Sequence, residues 1–275
     1  MRRGKKISFP YILMITFLTI ASFIMIIPYL WMVLSSLKGN LEIISSTSIL
    51  PHKVTFEGYK TVFQDAPFVR WLFNSLFTAT LITVATVFSS ALSGYIFAKF
   101  RFAGKQMIFL VVIATMMIPP QILMIPTYLI IYKLGLIDNL SAVILPSLVS
   151  AFGVFLARQA IEELPYDLIE SARIDGAGEF FIFNRIILPL VRPMLSALAI
   201  FTFMAAWNNY VWPLIVLNDE EKMTLPLALV FFNGSHVTNY NIVMSASVLI
   251  MIPVFIVFLI FQKQFVKGLA LTGFK

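Results

Sequence analysis

Between positions 165 and 189 the chain reads PYDLIESARIDGAGEFFIFNRIILP, which places six charged side chains (Asp167, Glu170, Arg173, Asp175, Glu179 and Arg185) around a Gly176-Ala177-Gly178 break. These residue types are suited to holding a partner, not to making or breaking bonds. Pro165 and Asp167 belong in a helix's first turn, where a missing N–H costs nothing and the dipole favours a carboxylate. The small residues at 176–178 stop that helix and let another backbone come close. A second stretch, 179–188, is expected to put Phe180, Phe183 and Ile187 on one side, and Pro189 ends it. Two short helices joined at a small-residue elbow make a compact knob; the same pattern also suits an amphipathic hairpin lying on a membrane.

A second cluster, AWNNYVWPL at 206–214, sets the amides of Asn208 and Asn209 among Trp207, Tyr210 and Trp212. Asn74, Ser75 and Gln121 are further uncharged polar groups in apolar surroundings. Such amides can bond a passing solute, or they can bond between helices while the aromatics form an interfacial belt. Other chemistry is excluded. The chain has no cysteine, so it offers no disulfide, thiolate or cysteine-based metal site. His52 and His236 have no second histidine or carboxylate at metal-ligand spacing and read as structural or solvated. Gly234, Ser235 and His236 adjoin one another in a polar stretch without a nucleophile elbow, which argues against a membrane-embedded hydrolase.

These groups are carried by a chain made for lipid. Of its 275 residues 60% are hydrophobic and 12% charged, half the charged fraction of ordinary soluble domains. Runs free of charge cover 7–37, 71–98, 106–132, 139–157, 193–218 and 223–262, each near or above the ~20 residues that cross a hydrocarbon core. They predict an all-α polytopic membrane protein, one transmembrane domain over 1–275. Its six helices fall at about 11–36, 71–98, 106–132, 139–160, 193–217 and 241–262, with a loop at 163–190. The first apolar run follows MRRGKK but is longer than a signal peptide's core and has no small-x-small cleavage site after it, so it reads as a retained helix.

With the N-terminus inside, fourteen Lys and Arg residues lie on inner segments and six on outer ones. The bias predicts both termini and the 163–190 loop in the cytoplasm. The basic balance therefore follows topology, and no nucleic acid partner is implied. Prolines at 119, 120, 126, 146 and 253 are read either as packing kinks or as broken helices lining a pathway, the triple at 119–126 being the best candidate for a break. Apart from Arg158 at the inner end of the 139–160 helix, no Asp, Glu, Lys or Arg falls inside a predicted span, which argues against an ion-coupled secondary carrier, the main alternative.

The loop resembles a signature of the permease subunits of ATP-binding-cassette importers of the carbohydrate, maltose-permease-like type. Glu170, Ser171 and Ala172 stand for Glu-Ala-Ala; Gly176 follows after three residues, then nine residues, then Ile186, Leu188 and Pro189. Ser171 in place of alanine is the one departure. MIPPQILMIPTYLI (117–130), FGVFLARQAIEELP (152–165), AWNNYVWPL (206–214) and FQKQFVKGL (261–269) extend the likeness over nearly the whole chain.

The resemblance implies a type I importer fold in a bacterial or archaeal cytoplasmic membrane, in which 163–190 is a cytoplasmic coupling helix docking on a separate ATPase. Glu170, Ser171, Ala172, Asp175, Gly176, Ala177, Ile186, Leu188 and Pro189 would form that docking element. It implies a second permease subunit, two ATP-binding subunits, an extracytoplasmic solute-binding protein and a sugar or oligosaccharide substrate. ATP and Mg would be held by the partners and no cofactor by this chain, in keeping with its lack of a G-x-x-x-x-G-K-[ST] loop. Trp207, Asn208, Asn209 and Tyr210, with Asn74 and Gln121, would then be substrate-pathway candidates, amides meeting hydroxyls and aromatic faces meeting sugar rings.

Overall fold

The computed structural model describes residues 9–229, 232 and 239–272, with side-chain surroundings over 10–229, 232 and 239–260. Every regular element among the described residues is helical. The helices are α1 (Phe9–Ser35), α2 (Asn40–Ser45), α3 (Glu57–Gln64), α4 (Phe68–Lys99), α5 (Lys105–Thr115), α6 (Pro120–Lys133), α7 (Leu140–Ile144), α8 (Ala151–Glu162), α9 (Asp167–Ile174), α10 (Glu179–Ile182), α11 (Leu188–Leu190), α12 (Arg192–Trp207), α13 (Val211–Val216), α14 (Leu225–Ala228) and α15 (Tyr240–Thr272). A π-helical turn, Phe183–Ile187, links α10 to α11.

Three of the expected spans are unbroken: Pro10–Ser35, Phe68–Lys99 and Tyr240–Ile260. The helix expected at 106–132 is instead α5 and α6, bent by 99°. Pro119 and Pro120 supply no backbone N–H, so the ladder cannot cross them, whereas Pro126 sits inside α6 and Pro253 inside α15. The span expected at 139–160 is likewise two pieces, Leu140–Ser147 and α8, meeting at 40°. The hydroxyls of Thr86 and Ser89 on α4 donate to the carbonyls of Ser147 (2.9 Å) and Leu148 (3.1 Å) that the break frees. The helix expected at 193–217 stops at Trp207, and α13 resumes at Val211. The last helix runs on to Thr272, beyond the expected 262.

Contacts gather into two units. In one, made of Met1–Ala66 and Leu229–Ile252, α1 exposes an apolar surface along its whole span. The end of α1 is tied down by polar groups: Asn241 donates to the Ser36 and Lys38 carbonyls, and the Ser36 and Tyr59 hydroxyls meet at 2.7 Å.

In the other unit, Pro67–Ala228 with Pro253–Lys275, α4 is the hub against which α8 and α12 pack. Ser90 and Gly94 on α4 face Gly153 and Ala157 on α8, four-residue spacing on both sides. Small residues at that spacing let two helices approach to backbone contact, the main source of association in lipid, where burying one more apolar side chain gains little. A second core forms where Ile131 of α6, Val143 of α7 and Val216 of α13 enclose Trp212, whose indole N–H donates to the Ala142 carbonyl at 2.9 Å.

The turn after α13 is fixed from two sides. Asn74 of α4 donates to the carbonyls of Glu221 and Met223, both at 2.9 Å, and the Ser75 hydroxyl accepts from the Leu225 N–H at 2.7 Å. Asp138, in the left-handed region at φ 61°, accepts from the Asn218 and Asp219 N–H groups and pairs with Lys222 at 3.0 Å. Burial pushes the Asp138 carboxyl up, but the two N–H groups and the Lys222 ammonium outweigh it and hold it below the usual carboxylate range.

A depressed value means stability that is complete above the unfolded carboxylate pKa of about 4 and is lost only as pH falls through the folded value. Asp138→Ala should therefore cost about 2 kcal/mol at pH 7, the scale of hydrogen bonds to a charged group. Asp138→Asn, which keeps an acceptor and tolerates this backbone, should cost less. The midpoint of thermal unfolding in detergent, followed by tryptophan fluorescence, checks both, and the gap from the parent should close below about pH 4.

Candidate functional site

The stretch at 165–189 folds into the expected knob, and its backbone chemistry explains why. Asp167 and Glu170 occupy the first turn of α9. Its other end closes in a Schellman motif: the Gly176 N–H bonds the Arg173 carbonyl at 3.0 Å and the Ala177 N–H bonds the Ala172 carbonyl at 2.9 Å. The motif requires a left-handed residue after the cap, and Gly176 provides it at φ 82°. Gly178 then enters α10 in an extended conformation.

The underside of the knob is apolar and dry. Ile169, Ile182, Phe183 and Ile187 are buried together with Ala91 and Tyr95 of α4 and Ile161 of α8. The knob is thus packed on the end of α4 and on α8. Phe180 departs from its expected place. It is 70% exposed, whereas Phe183 and Ile187 are buried. Ile182 takes its place beside Phe183 and Ile187 on the buried side.

The residues of the predicted docking element divide by exposure. Glu170, Ser171, Asp175, Gly176 and Pro189 are exposed, while Ala172, Ala177, Ile186 and Leu188 are half-buried and pack on the apolar underside. Ile174, which sequence reading did not single out, is 81% exposed beside Gly176.

Sequence reading also missed what fastens the knob. The Glu179 carboxylate takes the Arg173 guanidinium on one oxygen (2.7 Å) and the Tyr95 hydroxyl on the other (2.8 Å). Arg173 also donates to the Tyr166 hydroxyl at 3.1 Å and lies over the Phe100 ring. The Glu179 carboxylate raises the Arg173 pKa above its ordinary value, so the guanidinium is charged throughout the working range. Lys99, in the last turn of α4, turns back to the carbonyls of Glu162 and Leu164 at the end of α8. Arg158 stacks on Phe109 of α5, 3.9 Å from the ring centre. Apart from the Arg173 bonds to Glu179 and Tyr166, six and seven positions away, these are long-range partnerships for which local spacing carries no signal.

The solute-path candidates fall on three elements. Trp207 ends α12, 1% exposed and stacked on Phe203, its indole nitrogen buried without a hydrogen-bond partner. Asn208 and Asn209 are not buried amides within a helix as expected. They lie in the break before α13, Asn208 exposed with its amide turned back onto the Met204 carbonyl at 2.9 Å, and Asn209 half-buried. Tyr210 is partly exposed in the same break. Gln121 is exposed in the first turn of α6, just past the Pro119–Pro120 break. Asn74 is buried on α4, its amide hydrogens committed to the turn at 221–223. The break at 208–210, with Trp207 behind it, is therefore the part of this set that can present polar atoms beside an aromatic face.

A sequence profile of the family described as "Binding-protein-dependent transport system inner membrane component" matches residues 90–271, from the small-residue face of α4 through the knob into α15. The arabinooligosaccharides transport system permease protein AraQ of Bacillus subtilis (strain 168) is 38% identical over the whole of this chain and 99% of its own length. The lactose transport system permease protein LacG of Rhizobium radiobacter is 34% identical over 94% of this chain and 95% of its own. Among solved structures, a chain of a bacterial ABC transporter involved in the import of the acidic polysaccharide alginate superposes with a TM-score of 0.82 at 25% identity, covering 92% of this chain and 95% of that one.

Proposed function

The chain belongs to the family of binding-protein-dependent transport system inner membrane components, a multi-pass, non-catalytic subunit of an ATP-driven importer, and from that premise we propose that it carries sugars, with oligosaccharides first among them. Its relatives named for arabino-oligosaccharides and lactose support that solute class. The observation that carries the coupling role is the knob at 165–189, whose glycine apex and charged flank stand exposed while its underside is built into α4 and α8. In this reading Glu170, Ser171, Asp175 and Gly176 meet a cleft in an ATP-binding subunit. Ala172, Ala177, Ile186 and Leu188 hold the knob in the shape that the cleft accepts.

The complete importer then comprises this chain, a second permease, two ATP-binding subunits that hold ATP and Mg, and an extracytoplasmic solute-binding protein. The Lys and Arg distribution supports cytoplasmic termini and a cytoplasmic knob. The break at 208–210 faces the solute.

Uptake of radiolabelled arabino-oligosaccharides and lactose into cells expressing the complete system tests the reading. Accumulation should stop on ATP depletion and persist when an ionophore collapses the ion gradients. The opposite pattern would overturn it.

A further inference from the structure

The knob could reach its partner cleft and still transmit nothing, because a hairpin of two short helices and a glycine elbow has its own freedom to bend. Its apolar underside resists separation from α4 but, being non-directional, does not resist sliding. Direction comes from polar contacts, and one group supplies them. Glu179, the first residue of α10, bonds α9 through Arg173 and α4 through Tyr95, one carboxylate oxygen to each. Arg173 is itself held between the Tyr166 hydroxyl and the Phe100 ring at the end of α4. Tyr95 is 2% exposed, so its ring cannot swing aside, and the same ring packs on Phe183 of the knob. Its hydroxyl carries no further assignment in the docking role.

We propose that Glu179 is a positioning residue for energy coupling: by joining α9, α10 and α4 it makes the knob and α4 one rigid body, so that movement of the ATP-binding subunits reaches the helix on which α8 and α12 pack. The proposal rests on the docking role of the knob and adds what happens to the motion after docking. Tyr95→Phe keeps the buried ring and removes only the hydroxyl. Glu179→Gln keeps the shape and removes the charge. Arg173→Glu combined with Glu179→Arg reverses the pair.

The chain has no cysteine, so with any cysteines of the partner subunits replaced, spin labels enter only at two exposed positions, Val84→Cys on α4 and Phe181→Cys on α10. The complex is purified with its ATP-binding subunits through a tag on this chain, and the distance between labels is measured without nucleotide and after trapping with ATP and vanadate. In the parent the distance distribution should be single, narrow and the same in both states. In Tyr95→Phe and Glu179→Gln a second population should appear on trapping, enlarged about tenfold over the parent, as the loss of one charge-assisted hydrogen bond implies. The reversed pair should return toward the parent distribution.

A parent whose distance shifts on trapping would overturn the proposal, as would single variants that keep the parent distribution. Loss of the ATP-binding subunits from the Tyr95→Phe complex would also overturn it, since the network would then be part of docking. Failure of the docking role itself reads differently, as ATP-binding subunits that stay attached when Gly176 is blocked.

Discussion

Gly94→Leu should leave no monodisperse protein after detergent extraction, a larger effect than any charge substitution in this chain. A Cβ added at Gly94 would stand 2.6 Å from the Ala157 Cβ and 2.8 Å from the Ala157 carbonyl carbon and the Arg158 nitrogen. The last two are backbone atoms of α8 and cannot rotate away, so α8 must retreat from α4. That retreat pulls Arg158 off the Phe109 ring and strains the Lys99 contacts at the end of α8. Overpacking alone costs about 1–3 kcal/mol in a core that can adjust, and this site has backbone on both sides. Against a total stability of about 5–15 kcal/mol for a typical domain, a loss of that size is a large fraction. Gly94→Ala should already lower yield, and Gly153→Leu should cost less than Gly94→Leu, because the atoms its Cβ meets belong to the Ser90 and Leu198 side chains, which can turn aside. Gly39→Leu is the control, because nothing lies within 4 Å of a Cβ there and its φ of −69° is ordinary. Fluorescence-detected size-exclusion chromatography decides the matter. A symmetric Gly94→Leu peak with the parent's melting temperature would sink the close-crossing argument.

What the sequence allowed to be read divides along a physical line. Spans follow from the cost of charge in hydrocarbon, which is local and additive, so the unbroken spans at 10–35, 68–99 and 240–260 follow uncharged runs. The break at Pro119 and Pro120 is equally local, a missing donor that no neighbour can supply. The end of α12 at Trp207 is different. No proline or glycine marks it, and Asn208 closes the helix by turning its own amide onto the Met204 carbonyl, a competition between side chain and backbone that a hydropathy run cannot register. Asn74 shows the same limit from the other side. An amide in an apolar run reads as a solute contact until the turn at 221–223, some 150 positions away, is seen to use it. In the knob, the Gly176 elbow was legible because a left-handed cap has few alternatives. The Tyr95–Glu179 bond was not, since 84 positions separate its ends. Phe180 was misplaced because Ile182 fills the buried side instead, a choice set by packing on Ala91 and Tyr95 of α4 that residue type does not mark.

Gly176→Trp should strip the ATP-binding subunits from the purified complex while leaving this chain folded, and the structure separates that outcome from simple misfolding. At φ 82° any L side chain is strained by roughly 1–2 kcal/mol, which a domain of ordinary stability survives. Within the chain the added atoms meet nothing, since no heavy atom lies within 4 Å of the position a Cβ would take. Strain is paid alike by Gly176→Ala and Gly176→Trp, whereas the volume that a partner cleft must accommodate grows only in the second. Gly176→Ala should therefore keep most of its ATP-binding subunits. Gly176→Trp should weaken the association by roughly 2 kcal/mol or more, at least about thirtyfold, the scale of a central interface substitution. Exposed Ile174 and the carboxylates of Glu170 and Asp175 flank the apex, so the indole would be driven between groups that themselves have to seat. Pull-down of the ATP-binding subunits through a tag on this chain, with size-exclusion profiles as the measure of folding, distinguishes the cases. Equal losses in both variants would assign the effect to backbone strain. A Gly176→Trp complex with its full complement of ATP-binding subunits and undiminished ATP turnover would remove the knob from the docking interface altogether.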